Sequence, residues 1–275
     1  QKAHNLTEAL AILRSSRVFV STLWLLGSRA DGKFVVVEKT PEKMNVREPE
    51  GDTLVSANHF QTTGLEADKR NQRYIEEATS IPRYTRMTEL LAGAGGKITP
   101  PRAVEILRDR KLPGGRFAGN GQRASLNPFI ATHSTVMDLT DGIFWAASPP
   151  HQLGKFVAFD VNDFDRELPD LTIGADGTLA SGEFEKARGA RKILADGERA
   201  LKRQDAQAAL NLAEQAEVLN PGYYQNAALR GRALVALGHN DEAAKAFAAA
   251  LDEHPAFLAE KRQLEAWLKP LRPMK

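Results

Sequence analysis

Cysteine is absent from the 275 residues. This chain therefore supplies no disulfide, no thiolate metal site and no cysteine nucleophile. The absence does not fix a compartment, because reducing and oxidising locations both tolerate cysteine-free proteins. Long apolar runs are missing too. The longest, Val18 to Gly27, is broken by Ser21 and Thr22 and falls short of the roughly 18 residues a membrane span needs. No leader pattern begins at Gln1, and the first residue is not Met. The start reads as a processing or cloning boundary, and a targeting segment could have preceded it. An excess of one charge is also lacking: 37 basic residues face 35 acidic ones, for a net charge of +2. That balance gives no broad footprint for nucleic acid. The expectation is a soluble protein of the bacterial cytoplasm or periplasm, with no membrane span and no nucleic-acid partner.

What is present is an ordinary globular composition, 42% hydrophobic and 26% charged, on a chain long enough for about two domains. Residues 1–178 are mixed in texture, and residues 183–270 are rich in Ala, Leu, Lys, Arg and Glu at helical spacing. In the first part, Leu6, Ala9, Leu10 and Leu13 mark one face of a helix. Two β-prone runs, Thr22–Ser28 and Phe34–Glu38, flank Asp31-Gly32, a hairpin signal because Gly readily takes positive φ. Short strands are predicted at Met44–Arg47 and Leu54–Ala57. Helices are predicted at Asp68–Ala78, Pro82–Leu91 and Pro101–Arg110, the last capped by Thr99. Gly114–Asn127 reads as a loop. A second hairpin, Ile130–Leu139 with Ile143–Ala147, turns at Asp141-Gly142, and Phe156–Val161 is a further strand. Strands at both ends with helices between predict an α+β fold of sheets covered by helices.

The second part repeats. Pro221 and Pro255 lie 34 residues apart, the tetratricopeptide period. At the same offset, Gly197 matches Gly231, Ala209 matches Ala243, and Ala216 matches Ala250. Ala213 and Ala200 correspond to Phe247 and Leu234. Small residues let paired helices approach closely, and each proline ends a helix. Phe257–Leu268 reads as a capping helix. An all-α module of helical hairpins is expected, one that packs on the first domain, on a second copy of the chain or on a protein partner. Two repeats are few for a free-standing array, which usually needs about three.

Standard catalytic spacings are scarce. No histidine pair has the i, i+4 spacing of a helical zinc site, and no Gly-x-Ser-x-Gly elbow occurs. Gly93 to Lys97 lacks the four-residue gap of a phosphate loop. No metal and no cofactor are expected. Three blocks stand out: Ser56-Ala57-Asn58-His59-Phe60, Thr79-Ser80-Ile81-Pro82-Arg83-Tyr84-Thr85-Arg86 and Thr132-His133-Ser134-Thr135-Val136-Met137-Asp138. With the Asp31-Gly32 hairpin and Val36-Val37-Glu38-Lys39-Thr40-Pro41, their order over residues 6–160 resembles the acyl-coenzyme A:6-aminopenicillanic acid acyltransferase-like family of N-terminal-nucleophile hydrolases, also grouped as cysteine peptidases.

The resemblance implies a four-layer αββα sandwich. It also implies attack on an amide or thioester carbonyl by a cysteine freed by autoproteolysis, its own α-amine acting as base. It makes Asn58 the side-chain donor to the oxyanion; the plainer alternative is a turn residue at a strand end. Ser80 and Arg83 match the family's Ser-x-x-Arg block. Arg83 would hold a substrate carboxylate or a hydrogen bond within the site, and Ser80 serves equally well as a helix cap. His59 and His133 are candidates on the substrate side. The alternatives are that His59 orients Asn58 or simply packs, and that His133 is a satisfied structural histidine on a strand facing the core.

The family's nucleophile and the acidic and arginine residues near it have no counterpart in this chain, and Gln1 cannot serve. A partner is therefore expected, either an N-terminal segment or a second chain, to complete the catalytic domain. The alternative is a non-catalytic scaffold whose repeats recruit a protein. The basic stretch Arg188 to Arg203, interspersed with acidic residues, reads as a solvated face rather than a nucleic-acid site.

Overall fold

The computed structural model describes residues 2–96 and 98–271, so Gln1 and Lys97 lie outside the described residues. Helix α1 (Leu6–Ser15) opens the chain, capped by Asn5, whose side chain accepts the Glu8 N–H. Strands β1 (Thr22–Ser28), β2 (Lys33–Lys39) and β3 (Met44–Arg47) form an antiparallel sheet in that order. Alternation places Val35 and Val37 on one face of β2, where Leu6, Leu10 and Leu13 of α1 cover them together with Trp24, Leu26, Met44 and Val46. Val36 and Glu38 point to the opposite face, and both are fully buried. The cover on that side is an irregular segment, residues 58–66. The strand expected at Leu54–Ala57 is absent: the chain there is irregular, and the Val55 carbonyl is taken by Arg47 Nη2 at 2.7 Å rather than by a neighbouring strand.

Helices α2 (Lys69–Glu77), α3 (Ser80–Ala92) and α4 (Pro100–Leu107) follow. Asp68 caps α2, and Thr99 caps α4 by accepting the Arg102 N–H. A second antiparallel sheet holds β4 (Thr135–Asp138), β5 (Ile143–Ala147), β6 (Phe156–Asp160) and β7 (Asp163–Glu167). β4 is shorter than the Ile130–Leu139 run suggested, and β7, which is exposed throughout, has no apolar alternation to reveal it. One face of this sheet packs Trp145, Phe156 and Ala158 on Val104 of α4. The other carries Phe144 edge-on to Phe164, with Met137 and Phe164 exposed. The sheets meet at Gly27 of β1, where a Cβ would collide with the Leu139 side chain. The protein is thus mixed helix and sheet, with a helix against each sheet.

After the short α5 (Gly177–Ala180), helices α6 (Glu183–Lys202), α7 (Ala206–Leu219), α8 (Tyr224–Ala236), α9 (Asn240–Asp252) and α10 (Leu258–Leu268) form antiparallel hairpins with a final helix. The residues matched at the 34-residue offset are buried in both copies: Ala209 and Ala243, Ala216 and Ala250, Ala213 and Phe247, and Ala200 and Leu234. Gly197 and Gly231 are points of close helix approach. A Cβ on Gly231 would lie 2.6 Å from the Phe247 ring, and one on Gly197 would strike Leu229. Among the described residues no helix is long and apolar enough to cross a membrane.

Candidate active site

The residues singled out between 58 and 83 converge. The first turn of α3 presents Ser80, fully buried, toward the 58–62 segment. Ser80 Oγ accepts the Asn58 N–H at 2.8 Å and lies 2.7 Å from His59 Nδ1. Ser80 is therefore inside the helix, not at its cap; Thr79 occupies the cap position. Its hydroxyl fixes the backbone at Asn58 and the ring of His59. One turn on, Arg83 Nε donates to the Thr79 carbonyl at 3.1 Å and Nη2 to Asn58 Oδ1 at 2.6 Å. A guanidinium has donors only, so the atom facing it must be the amide oxygen. The Asn58 NH2 group is thereby turned away from Arg83, and Asn58 lines a cleft of about 760 Å³.

Thr40, Lys43, Asn71, Tyr74 and Arg83 line the same cleft. Arg83 has no carboxylate partner among the described residues, and burial lowers its pKa. Even so, a guanidinium stays charged, so the cleft presents a cation beside a neutral amide donor. His59 is buried and edge-on to Tyr84 at 5.4 Å. Burial pushes its pKa down; Glu38 opposes this, while Arg47 and Arg83 add to it. The imidazole is therefore held neutral near pH 7. Its contacts are with Ser80 and Tyr84, and it does not line the cleft.

His133 stands apart. It is exposed in the irregular chain ahead of β4 and does not line the cleft. The expected strand position facing the core is corrected, because the regular ladder begins only at Thr135. Among the described residues no group of His, Asp and Glu side chains is arranged to hold a metal ion.

Sequence reasoning gave no role to two buried polar residues of this site. Asn71 on α2 accepts the Phe60 N–H through Oδ1 at 2.8 Å, and its Nδ2 donates to the Phe60 and Glu66 carbonyls. Glu38 accepts the N–H groups of Gln61 and Thr62 and the Thr62 hydroxyl. The signal for Glu38 was its place after Val35-Val36-Val37, a carboxylate in an apolar strand. For Asn71, within a polar helix, no signal was present.

Residues 1–116 match the family model described as acyl-coenzyme A:6-aminopenicillanic acid acyl-transferase. The matched span contains the whole Asn58–Ser80–Arg83 cluster and stops short of the second sheet and the helical hairpins. The match covers less than half of the chain and is a likeness to that family over the first sheet and helices α1 to α4. No curated protein and no solved structure matches the chain.

Proposed function

We propose that this chain carries the oxyanion side of an N-terminal-nucleophile amidohydrolase or acyltransferase acting on amide or thioester carbonyls of N-acylated small molecules. The observation that carries this reading is the Arg83–Asn58 hydrogen bond, which commits Asn58 Oδ1 and leaves its NH2 as a neutral, oriented donor at the cleft. Arg83 also suits a substrate carboxylate at the same cleft. The nucleophile comes from a further polypeptide, a preceding segment or a second chain, exposed by autoproteolysis. The apolar faces left open around Leu25, Met137 and Phe164 support such a complement, which would complete an αββα sandwich.

The test is to purify the protein from its native host, weigh the intact assembly, and assay it on N-acyl amides. The expected result is a co-purifying nucleophile-bearing polypeptide and hydrolysis that Asn58→Ala lowers by about 10²–10³-fold. Full activity of Asn58→Ala would remove the oxyanion assignment.

A second reading is a scaffold whose tetratricopeptide-type module, residues 183–270, binds a protein. It is favoured by a groove of about 610 Å³ between α6, α8 and α10, lined by Leu194, Tyr224, Arg232 and Trp267. An assembly with no nucleophile-bearing component and no turnover would favour it.

A further inference from the structure

The segment that carries Asn58 has no regular secondary structure, yet its backbone donors are all but spoken for by buried side chains. The N–H of Asn58 goes to Ser80, that of Phe60 to Asn71, and those of Gln61 and Thr62 to Glu38. Ser80 and Glu38 are fully buried, and Asn71 is nearly so. A backbone outside helix and sheet has no ladder to define it, so these side chains define it.

Glu38 has the largest share. Both carboxylate oxygens accept the Gln61 N–H, at 2.9 and 3.0 Å, and Oε2 also accepts the Thr62 N–H at 3.0 Å and the Thr62 hydroxyl at 2.7 Å. Its charge is met by Arg47 Nε at 3.6 Å, and Arg47 in turn donates to the Val55 carbonyl. Strand β2 is thus tied to both flanks of Asn58, three residues before it through Arg47 and three to four residues after it through Glu38. A buried carboxylate is costly unless it is paired and hydrogen-bonded throughout, and an apolar residue would fill this strand position more simply. Glu38 does not line the cleft.

We propose that Glu38 is a positioning residue that fixes the 58–62 segment from the sheet side and so aims the Asn58 amide at the reacting carbonyl. The functional half of this inference rests on the oxyanion reading of Asn58; the geometric half does not. The substitution Glu38→Gln keeps the shape but turns an N–H2 toward backbone N–H groups that need an acceptor. Thr62→Val is the milder variant, since it removes only the two bonds of the hydroxyl, the one it donates to Glu38 and the one it accepts from Asn45 Nδ2, and leaves the backbone N–H groups their acceptor.

The experiment has two arms on the full chain. In the first, amide hydrogen exchange is followed by mass spectrometry. Faster exchange confined to peptides spanning 58–64 is expected in both variants, larger in Glu38→Gln, with the rest of β2 unchanged in Thr62→Val. Unchanged exchange in that segment for either folded variant overturns the proposal. In the second arm, the complete assembly is assayed. Glu38→Gln is expected to lower kcat by roughly 10²-fold with KM little moved, as for a displaced catalytic group. In an Asn58→Ala background the same change should cost almost nothing more. Additive losses overturn positioning through Asn58. An assembly without turnover removes the oxyanion reading alone, and the exchange arm still decides whether Glu38 holds the segment.

Discussion

Asn120 and Asn220 exchange two hydrogen bonds between the loop after α4 and the turn joining α7 to α8. The Asn120 N–H donates to Asn220 Oδ1 at 2.8 Å, and Asn220 Nδ2 donates to the Asn120 carbonyl at 2.9 Å. Asn220 stands just before Pro221. At the matching place in the second copy, the His254 carbonyl before Pro255 accepts Gln122 Nε2 at 2.9 Å. The loop after α4 therefore meets two successive helix–helix turns from positions two residues apart, through the Asn120 backbone and the Gln122 side chain. Asn220→Ala strands a buried N–H and a carbonyl. The expected loss is about 2–4 kcal/mol, the penalty for two unsatisfied buried groups, measured by urea unfolding.

Gly231 sits where α8 meets Phe247 of α9, and the nearest ring atoms would be 2.6–2.9 Å from an added Cβ. The ring is fully buried and has little room to retreat. Gly231→Ala should therefore destabilise by about 1–3 kcal/mol, the usual range for overpacking, despite the better helix propensity of Ala. A thermal midpoint equal to or above wild type would contradict the close approach.

Arg83 makes its bonds to Thr79 and Asn58 through two nitrogens of one planar group. A lysine carries charge but has no such fork. Arg83→Lys should keep the cation at the cleft and lose the orientation of the Asn58 amide. In the complete assembly, kcat is expected to fall by roughly tenfold or more, as for loss of a positioned donor. If only KM rises, Arg83 serves substrate binding alone.

Glu253, at the end of α9, has its pKa raised to about 7, chiefly by burial and then by Glu217; Arg116 opposes this and Asp252 adds to it. Its Oε2 is buried without a hydrogen-bond partner among the described residues. The folded state thus holds a proton that the unfolded chain releases near its ordinary value of 4.5. Stability falls as pH rises between those values, and the penalty is complete above about pH 7. Glu253→Gln should accordingly raise stability at pH 8 by about 1 kcal/mol, discounted because the side chain is half exposed. The gain should vanish near pH 4.5. Unfolding curves at the two pH values test both the sign and the window.

Periodicity made the helices and the hairpins legible, because one apolar face repeats along α1 and at the 34-residue offset in the module. The order of short blocks singles out Asn58, Ser80 and Arg83, and the structure brings the three side by side through contacts that the blocks do not announce. Ser80 followed by Ile81-Pro82 looks like a helix start, yet its hydroxyl is spent on Asn58 and His59. Leu54–Ala57 has β propensity but no strand to pair with, so it stays irregular. Strand β7 is polar and exposed, and its pairing with β6 comes from chain proximity, which no residue pattern announces. Long-range polar ties such as Glu38 to residues 61–62 depend on tertiary placement and leave little trace in local sequence.

The loop from residue 109 to 127 has partners on every side. Asp109 binds Arg86 of α3 at 2.9 Å, and the Gly114 N–H binds Glu89 of the same helix. Arg110 reaches Glu183 at the start of α6, and Arg116 reaches Asp252 at the end of α9. At Gly119, φ is +79° and a Cβ would fall 2.7 Å from Tyr223, so this crossing is possible only for glycine. The helix that carries Ser80 and Arg83 is thus roped to the helical hairpins through one connecting stretch. A fragment ended near residue 180 would leave that stretch hanging over water, its asparagine and glutamine bonds unmade. The chain should melt in one transition, and the cut that topology suggests is the cut that thermodynamics forbids.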